Sequence, residues 1–249
     1  MIIIKNQWEI ERMREAGRIV GETLKLVEES IRPGISTLAL DKICEEFIMK
    51  SGAIPSFKNY NGFPGSICAS VNEVVVHGIP SKEIILREGD IITIDCGAYI
   101  NGFHGDAART FRVGRVSEEA DRLIRVTEES FFKGLEMVRV DNRIGDISSA
   151  VQEHLESNGL SVVRDFTGHG IGKDLHESPS IPNYGTAHRG PKLRAGMALA
   201  IEPMANLGLY HVKVLEDNWT AVTRDGSLSA QYENTVIVTE EGPLITTLV

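Results

Sequence analysis

Two segments of this chain, 107 residues apart, share a pattern in which an apolar run ends on an acidic residue. Residues 86–95 are Leu-Arg-Glu-Gly-Asp-Ile-Ile-Thr-Ile-Asp, and residues 193–202 are Leu-Arg-Ala-Gly-Met-Ala-Leu-Ala-Ile-Glu. Each strand-like run delivers one carboxylate, Asp95 or Glu202, at its end. Burying a carboxylate is costly unless a positive group meets it. Two equivalent strands therefore predict a site on a pseudo-twofold axis, most simply a metal site.

The same offset recurs upstream of both segments. Ser51-Gly52 aligns with Asn158-Gly159, so each half contains two helices, a glycine that closes the second helix, an extended segment and the Leu-Arg-x-Gly strand. Chance similarity between two α/β segments is the alternative, but one offset shared by several positions favours duplication. The period is too long for a solenoid. We expect a single catalytic domain over residues 1–249 with an internal pseudo-repeat, its halves at about 1–115 and 116–249.

Composition narrows the class of protein. A chain of 249 residues can bury a large core, and its net charge of −9 disfavours a surface made for nucleic acid. Three widely spaced cysteines, Cys44, Cys68 and Cys96, form no CxxC pair, which argues against a disulfide framework and a thiolate zinc site. No apolar run resembles a signal peptide or reaches membrane-spanning length. We expect a cytoplasmic protein with no membrane partner and no specific nucleic-acid partner.

Hydrophobic spacing and capping residues predict four helices. Their expected bounds are about 7–30, from Ser36 or Thr37 to Gly52, from Ser117 to about Val138, and from Asp146 to Gly159. Residues 53–70 are rich in Gly, Pro, Asn and aromatic residues, which predicts a binding loop. Strands are expected from Val71 to Val76 and from Tyr232 to Thr239.

A hairpin is predicted to place two acids opposite each other. Asp90–Cys96 and Ala107–Val113 are strand-like, and Asn101-Gly102 between them is a strong turn signal. Folding about this turn brings Asp95 and Asp106 within a position or two of each other, where facing Cβ atoms are about 4.5–5.5 Å apart. Two acids on a solvated face are the alternative. Because Asp95 ends an apolar run that favours burial, the pair predicts a bound cation.

The second half offers the same arrangement. Glu202 ends one apolar run, Glu233 precedes another, and His169 lies between glycines that leave its imidazole unhindered. Two divalent cations would balance four carboxylates. Oxygen-rich sites with one nitrogen and no thiolate suit manganese, iron(II), cobalt or zinc in a two-metal hydrolase.

Other catalytic motifs are poorly matched. Gly168-His169-Gly170-Ile171-Gly172 lacks the spacing of a phosphate-binding loop, and the proline of His176-Glu177-Ser178-Pro179 is incompatible with the HExxH helix. A nucleophilic Cys68 or Cys96 stays open, although no local signature supports it.

Taken together, the motifs resemble one family across nearly the whole chain, the type I methionine aminopeptidases. The matching motifs are Val75-Val76-His77-Gly78-Ile79-Pro80, Ile94-Asp95-Cys96-Gly97, His104-Gly105-Asp106, Gly168-His169-Gly170-Ile171-Gly172, Ile201-Glu202-Pro203 and Ser229-Ala230-Gln231-Tyr232-Glu233-Asn234-Thr235. The resemblance implies an α+β pita-bread fold with two pseudo-symmetric halves and antiparallel sheet covered by helices. It also implies a metal-dependent aminopeptidase that removes the N-terminal methionine of nascent proteins when the second residue is small.

The resemblance further implies roles for individual residues. The ligands of two divalent metal ions would be Asp95, Asp106, His169, Glu202 and Glu233. Glu202 would also be the catalytic base, and His77 and His176 would be catalytic residues that contact the substrate amide. The methionine side chain would contact Tyr60, Phe63, Cys68 and Trp219, with Leu175 at a position where the family has phenylalanine. A monovalent cation is implied at Asn72, Val74 and Ser229. Partners would be nascent polypeptides and the ribosome, and the protein would be a monomer.

Three alternatives stay open at this level. Proline-specific aminopeptidases and dipeptidases of the same superfamily usually carry an extra N-terminal domain, which this chain has no length for. Type II methionine enzymes carry a helical insertion in the second half. Metal-free relatives that bind peptides lose ligands, whereas all five are present here.

Overall fold

Polar caps set the starts of the helices in the computed structural model, which describes residues 1–248. The hydroxyls of Ser36 and Ser117 accept hydrogen bonds from main-chain N–H groups of the first turns. The helices are α1 Gln7–Ser30, α2 Thr37–Lys50, α3 Glu118–Glu136 and α4 Ile144–Ser157. All four predicted helices are present. Helix α4 begins two residues before Asp146, because that carboxylate accepts the Arg143 N–H from inside the first turn.

The strands are mostly short and pair antiparallel throughout residues 1–248. They are β1 Ile54–Pro55, β2 Ile67–Val71, β3 Val74–Val76, β4 Ile91–Ile100, β5 Phe103–Arg112, β6 Ser161–Val162, β7 Gly168–Gly170, β8 Glu177–Ile181, β9 Ala198–Ile201, β10 Met204–Asn206, β11 Val212–Val214, β12 Ala221–Thr223, β13 Ser229–Gln231, β14 Asn234–Thr239 and β15 Gly242–Ile245.

These strands form four sheets. In the first, β4 pairs with β5 on one edge and with β1 and β2 on the other. A five-stranded sheet has the order β15-β14-β9-β7-β8, and two three-stranded sheets have the orders β13-β10-β6 and β11-β12-β3. Helix α1 packs on β4 and β5, whereas α3 packs on α4 and on β13. No helix within residues 1–248 is long and apolar enough to cross a membrane.

The 107-residue offset is visible in the elements. Helices α2 and α4 each have 14 residues, and their first residues, Thr37 and Ile144, are one offset apart. The same offset relates β1 to β6, and it relates the isolated bridge Ser36–Ile85 to the bridge Arg143–Lys192. The long strand β4 corresponds to β9 and β10, which Pro203 separates because it has no N–H for a ladder. The halves therefore share one layout.

The predicted hairpin is confirmed. Asn101 and Gly102 have φ values of 53° and 86°, the left-handed conformations that a two-residue turn between twisted strands requires. In the resulting register Asp106 lies opposite Gly97, and Asp95 lies opposite Ala108. The two acids are thus two positions apart across the ladder.

The predicted loop over residues 53–70 is wrong at its end, where Ile67–Val71 forms β2. This run is buried and pairs with β4, so tertiary pairing overrides the loop-like composition before it. The single strand predicted from Val71 to Val76 is instead two strands, because Asn72 turns the chain with a φ of 53°.

Helix α1 approaches β5 closely enough that only glycines fit between them. A Cβ atom on Gly105 would lie 2.8 Å from the Gly17 main-chain nitrogen. Helix and strand are therefore packed main chain against main chain, which holds the outer layer tightly against the strand that carries Asp106.

Replacing Gly105 with Ala tests this packing. The added methyl forces α1 away from β5, and overpacking of this kind costs about 1–3 kcal/mol. For a chain of this size we expect the melting temperature to fall by about 3–10 °C. Thermal unfolding followed by circular dichroism checks the expectation, and an unchanged melting temperature would contradict the close packing.

Candidate active site

One cavity of about 440 Å³ collects the acids and the imidazole that the sequence pattern selects. Asp95 and Asp106 enter it from the β4–β5 hairpin. His169 lies in β7, Glu202 directly follows β9, and Glu233 directly precedes β14. The cavity floor is thus assembled from both halves of the chain.

Strand pairing explains why these side chains meet. His169 pairs with Ala200 in β9, and Asn234 pairs with Ile201, so Glu202 and Glu233 lie at one end of neighbouring strands. The Glu233 N–H donates to the Ala108 carbonyl over 2.9 Å, which joins the second half to β5.

The polar atoms of the cavity floor lie close to one another. His169 Nε2 is 3.7 Å from Glu202 Oε1 and 3.9 Å from Asp106 Oδ2. Ligand atoms of Asp106, His169 and Glu233 all lie within 4.8 Å of one another. Asp95 lines the same cavity and lies near enough to raise the pKa of Asp106.

The His169 imidazole presents a lone pair to the acids. Its Nδ1 lies 2.9 Å from the Gly170 carbonyl, so Nδ1 carries the hydrogen and Nε2 is free. Burial, together with the nearby His176, lowers the pKa of His169 to about 3. The ring is neutral at pH 7, so its short contacts with the carboxylates are not ion pairs.

The four carboxyl groups on the cavity floor fit bound cations. Burial raises the pKa of Asp95 to about 7, and burial and the neighbouring acids raise the pKa values of Asp106 and Glu233 well above their ordinary values. The pKa of Glu202 is raised in the same way, by burial and then by Asp95. One oxygen each of Asp95, Asp106 and Glu233 is buried without a hydrogen-bond partner. Carboxylate oxygens without hydrogen-bond partners, placed around the lone pair of an imidazole, are suitable ligands for divalent metal ions.

Two further histidines line the cavity. His176 Nδ1 lies 2.8 Å from the Tyr60 hydroxyl, and its ring centre is 4.2 Å from that of His169. His77 follows β3 with a φ of 60°, and Gly78 beside it has no room for a side chain against the Ala69 carbonyl. Burial lowers the pKa values of His77 and His176, so both rings are neutral at pH 7.

The cavity wall beside the acids is apolar and aromatic. Phe63 and Trp219 meet edge to face with ring centres 5.2 Å apart, and Trp219 also contacts His77. Cys68 lies opposite Asp95 in the β2–β4 register and is buried. Burial and the adjacent Asp95 raise the pKa of the Cys68 thiol, which argues against a thiolate nucleophile there. Cys96 is disfavoured on the same ground.

The residues suggested for a monovalent cation lie near one another. The Ser229 N–H donates to the Asn72 carbonyl over 2.9 Å, which joins β13 to the turn before β3. Val74 begins β3 and pairs with Val222.

Comparison with known proteins identifies the relatives of this fold and cavity. Residues 11–240 match the model of metallopeptidase family M24. The methionine aminopeptidase of Clostridium perfringens is 61% identical over 100% of both chains, and methionine aminopeptidase 1 of Bacillus subtilis is 54% identical over 97% of both. A crystal structure of methionine aminopeptidase from Thermotoga maritima superposes with a TM-score of 0.99 at 46% identity and covers 100% of both chains.

The chain belongs to the methionine aminopeptidases of metallopeptidase family M24. It is therefore a hydrolase that acts on polypeptides, and its family implies divalent metal ions. The α+β pita-bread fold that the resemblance implied is confirmed.

Several residues of this aminopeptidase that line or support the cavity were missed by the sequence reasoning. Phe166 and Thr167 line it directly before the Gly-His-Gly motif, a position that could have marked them. Gln231 Nε2 donates to Glu202 Oε2 over 3.3 Å, and Asn183 Nδ2 donates to the Glu202 carbonyl over 2.9 Å. Gln231 lies inside a quoted motif, whereas no pattern indicates Asn183.

The raised pKa of Asp95 makes the stability of the metal-free aminopeptidase depend on pH. Its ordinary pKa is 3.8 and its value in the fold is about 7. A raised value means that the folded state binds the proton more tightly, so this contribution to stability is full below about pH 4 and is lost as the pH rises through about 7. We expect the metal-free melting temperature to fall across this interval.

Added Mn²⁺ should reverse the loss at pH 7.5 and have little effect at pH 5, where protons compete for the carboxylates. At about one hundred times the dissociation constant the gain should be about 5–10 °C. The gain should disappear in Asp106→Asn and persist in the control Asp165→Asn, an exposed acid. An equal gain in both variants, measured by scanning fluorimetry, would refute a cation at these carboxylates.

Proposed function

We propose that this enzyme removes the N-terminal methionine from nascent polypeptides whose second residue is small, within the cytoplasm. The observation that carries this proposal is one cavity that has four carboxyl groups and a neutral imidazole on its floor and an aromatic and thiol wall beside them. The floor suits hydrolysis and the wall suits a thioether. We further propose that residues 1–249 are one catalytic domain that acts as a monomer and meets its substrates near the ribosome.

Asp95, Asp106, His169, Glu202 and Glu233 are the proposed ligands of two divalent ions, for which cobalt, manganese, iron(II) and zinc are candidates. Such ions supply Lewis acidity, which polarises the scissile carbonyl and lets water act as a nucleophile near neutral pH. We also propose a monovalent cation among oxygens of Asn72, Val74 and Ser229.

Glu202 is the proposed proton carrier. It lies on the cavity floor 3.7 Å from His169, and Gln231 and Asn183 hold its side chain and main chain. In this role Glu202 accepts a proton from the attacking water and donates it to the leaving amine. Because these two donors already fix the orientation of Glu202, the residue needs to move less during the reaction.

His77 and His176 are the proposed stabilisers of the developing oxyanion. Both are neutral, so each can donate one N–H without bringing a net charge that would compete with the metal ions. We assign the Tyr60 hydroxyl as the donor to His176 Nδ1, an assignment that leaves the hydrogen on Nε2. The tyrosine thereby selects the tautomer that has a donor available.

Tyr60, Phe63, Cys68 and Trp219 form the proposed methionine pocket. Sulfur near aromatic edges is favourable, so this part of the cavity lining suits a methionine side chain. Identity of 61% and 54% to methionine aminopeptidases favours this specificity over the proline-specific alternative. The complete acid set argues against a metal-free binding protein.

Replacing His77 or His176 with Ala separates catalysis from metal binding. We expect metal content to stay unchanged and kcat to fall by about a hundred- to a thousandfold, the range for losing one transition-state donor. Glu202→Gln is the contrasting variant, because it should lower both metal affinity and turnover. Metal analysis of the purified proteins beside their kinetics is the measurement. If metal content fell in step with activity in the histidine variants, these residues would be ligands instead.

Peptide specificity tests the function itself. kcat/KM for Met-Ala-Ser should far exceed the values for Leu-Ala-Ser and Met-Lys-Ser, and Cys68→Ala should weaken the preference for methionine over leucine by about 1–3 kcal/mol. Metal-depleted protein should be inactive until divalent ions are restored one at a time. Efficient cleavage of Ala-Pro peptides with poor cleavage of Met-Ala-Ser would favour the proline-specific alternative.

A further inference from the structure

An ion pair lies buried beside the cavity but is not among its lining residues. The Lys5 ammonium donates to Glu177 Oε2, and the two side chains are only 2% and 4% exposed. The partners are 172 residues apart in the chain. Burying two charges costs several kcal/mol per ion, which their attraction often fails to repay, so such a pair is weak evidence for a purely stabilising role.

Glu177 holds the turn that carries His176. This turn, residues 171–176, connects β7 to β8, and Glu177 is the first residue of β8. Glu177 Oε1 accepts the Lys173 N–H over 2.9 Å, with the Asp174 N–H at 3.4 Å. The same carboxylate therefore binds Lys5 through one oxygen and the turn through the other.

Lys5 is itself fixed from outside the turn. Its N–H donates over 2.7 Å to the carbonyl of Gly196, in the Leu-Arg-Ala-Gly segment that leads into β9. Gly172 has no room for a side chain, because a Cβ atom there would collide with the side chains of Lys5 and Glu177. The N-terminal segment, the β9 lead-in and the His176 turn are thus packed around one ion pair.

We propose that Lys5 and Glu177 are positioning residues that set the placement of His176. The inference rests on the role proposed above for His176. It adds that Lys5, through Glu177, controls the placement of that histidine. Removing Lys5 leaves Glu177 as an uncompensated buried charge, which must rotate toward water or take up a proton. Either change weakens its hold on the Lys173 N–H, and the turn then presents His176 less accurately to the substrate.

The test is a kinetic cycle with metal-loaded protein and Met-Ala-Ser peptide, using wild type, Lys5→Met, His176→Ala and the double variant. We expect Lys5→Met to lower kcat about tenfold with KM changed less than about twofold. In the His176→Ala background the same substitution should lower kcat by less than about twofold, because coupled residues do not act additively. Histidine NMR provides a second readout, in which the His176 resonances should shift in Lys5→Met.

Lys173→Met is the matched control. It removes a lysine from the same turn, but that side chain is 67% exposed and its pairing with Glu9 spans 3.6 Å. Activity and the His176 resonances should stay as in wild type. Lys5→Met with Glu177→Gln should recover activity relative to Lys5→Met alone, since the amide oxygen still accepts the Lys173 N–H and no unpaired charge is buried.

The outcomes distinguish this inference from the proposed function. A neutral His176→Ala variant would remove the proposed role of His176 and the inference with it. A strong His176→Ala effect combined with equal losses from Lys5→Met in both backgrounds would overturn the inference alone. An equal loss in Lys173→Met would also overturn it. If Lys5→Met does not fold, as judged by circular dichroism, Lys5→Gln, which also removes the charge that Glu177 pairs with, takes its place in the cycle with the same expectations.

Discussion

Mutual repulsion among the four carboxyl groups of the cavity floor is the constraint on which the site depends. Asp95, Asp106, Glu202 and Glu233 share one cavity, and burial raises the pKa of each. Without cations the cluster is a local cost that the rest of the fold must offset. The acids can stay close together only if the strands that carry them cannot move apart. The antiparallel hydrogen-bond ladders on both sides of the cluster hold these strands in place.

A half-buried guanidinium holds the strands together behind these acids. Arg109 donates to the carbonyls of Ala108 and Glu233 and, over 2.7 Å, to Asn234 Oδ1. Its guanidinium carbon lies 4.0 Å from the centre of the Tyr232 ring. Arg109 thereby spans the junction of the two halves with main-chain hydrogen bonds on one side and an aromatic face on the other. These contacts fix the main chain beside the acids. The charge of Arg109 is used in these contacts and does not neutralise the carboxyl groups of the site.

Local signals predicted those parts of the structure that local residues determine. Ser36 and Ser117 start helices because their hydroxyls cap them, and Asn101-Gly102 sets the hairpin register that brings Asp95 near Asp106. The three-residue strands were not predictable, since their pairing depends on partners far along the chain rather than on propensity. The contact between Lys5 and Glu177 has no periodic signature either, because it is produced by packing of segments that the sequence keeps far apart.

The junction between the halves also dictates when a complete site can exist during synthesis. Thr235 Oγ1 donates to the Asp106 carbonyl and accepts the Asp106 N–H, across 129 residues of sequence. A growing chain therefore carries its first two acids long before β14 can pair beside β9. Until Glu202 and Glu233 have been added, the hairpin of the first half presents only Asp95 and Asp106. The complete acid cluster therefore depends on pairing between segments synthesised far apart in time, and no N-terminal fragment that stops before Glu233 can contain it.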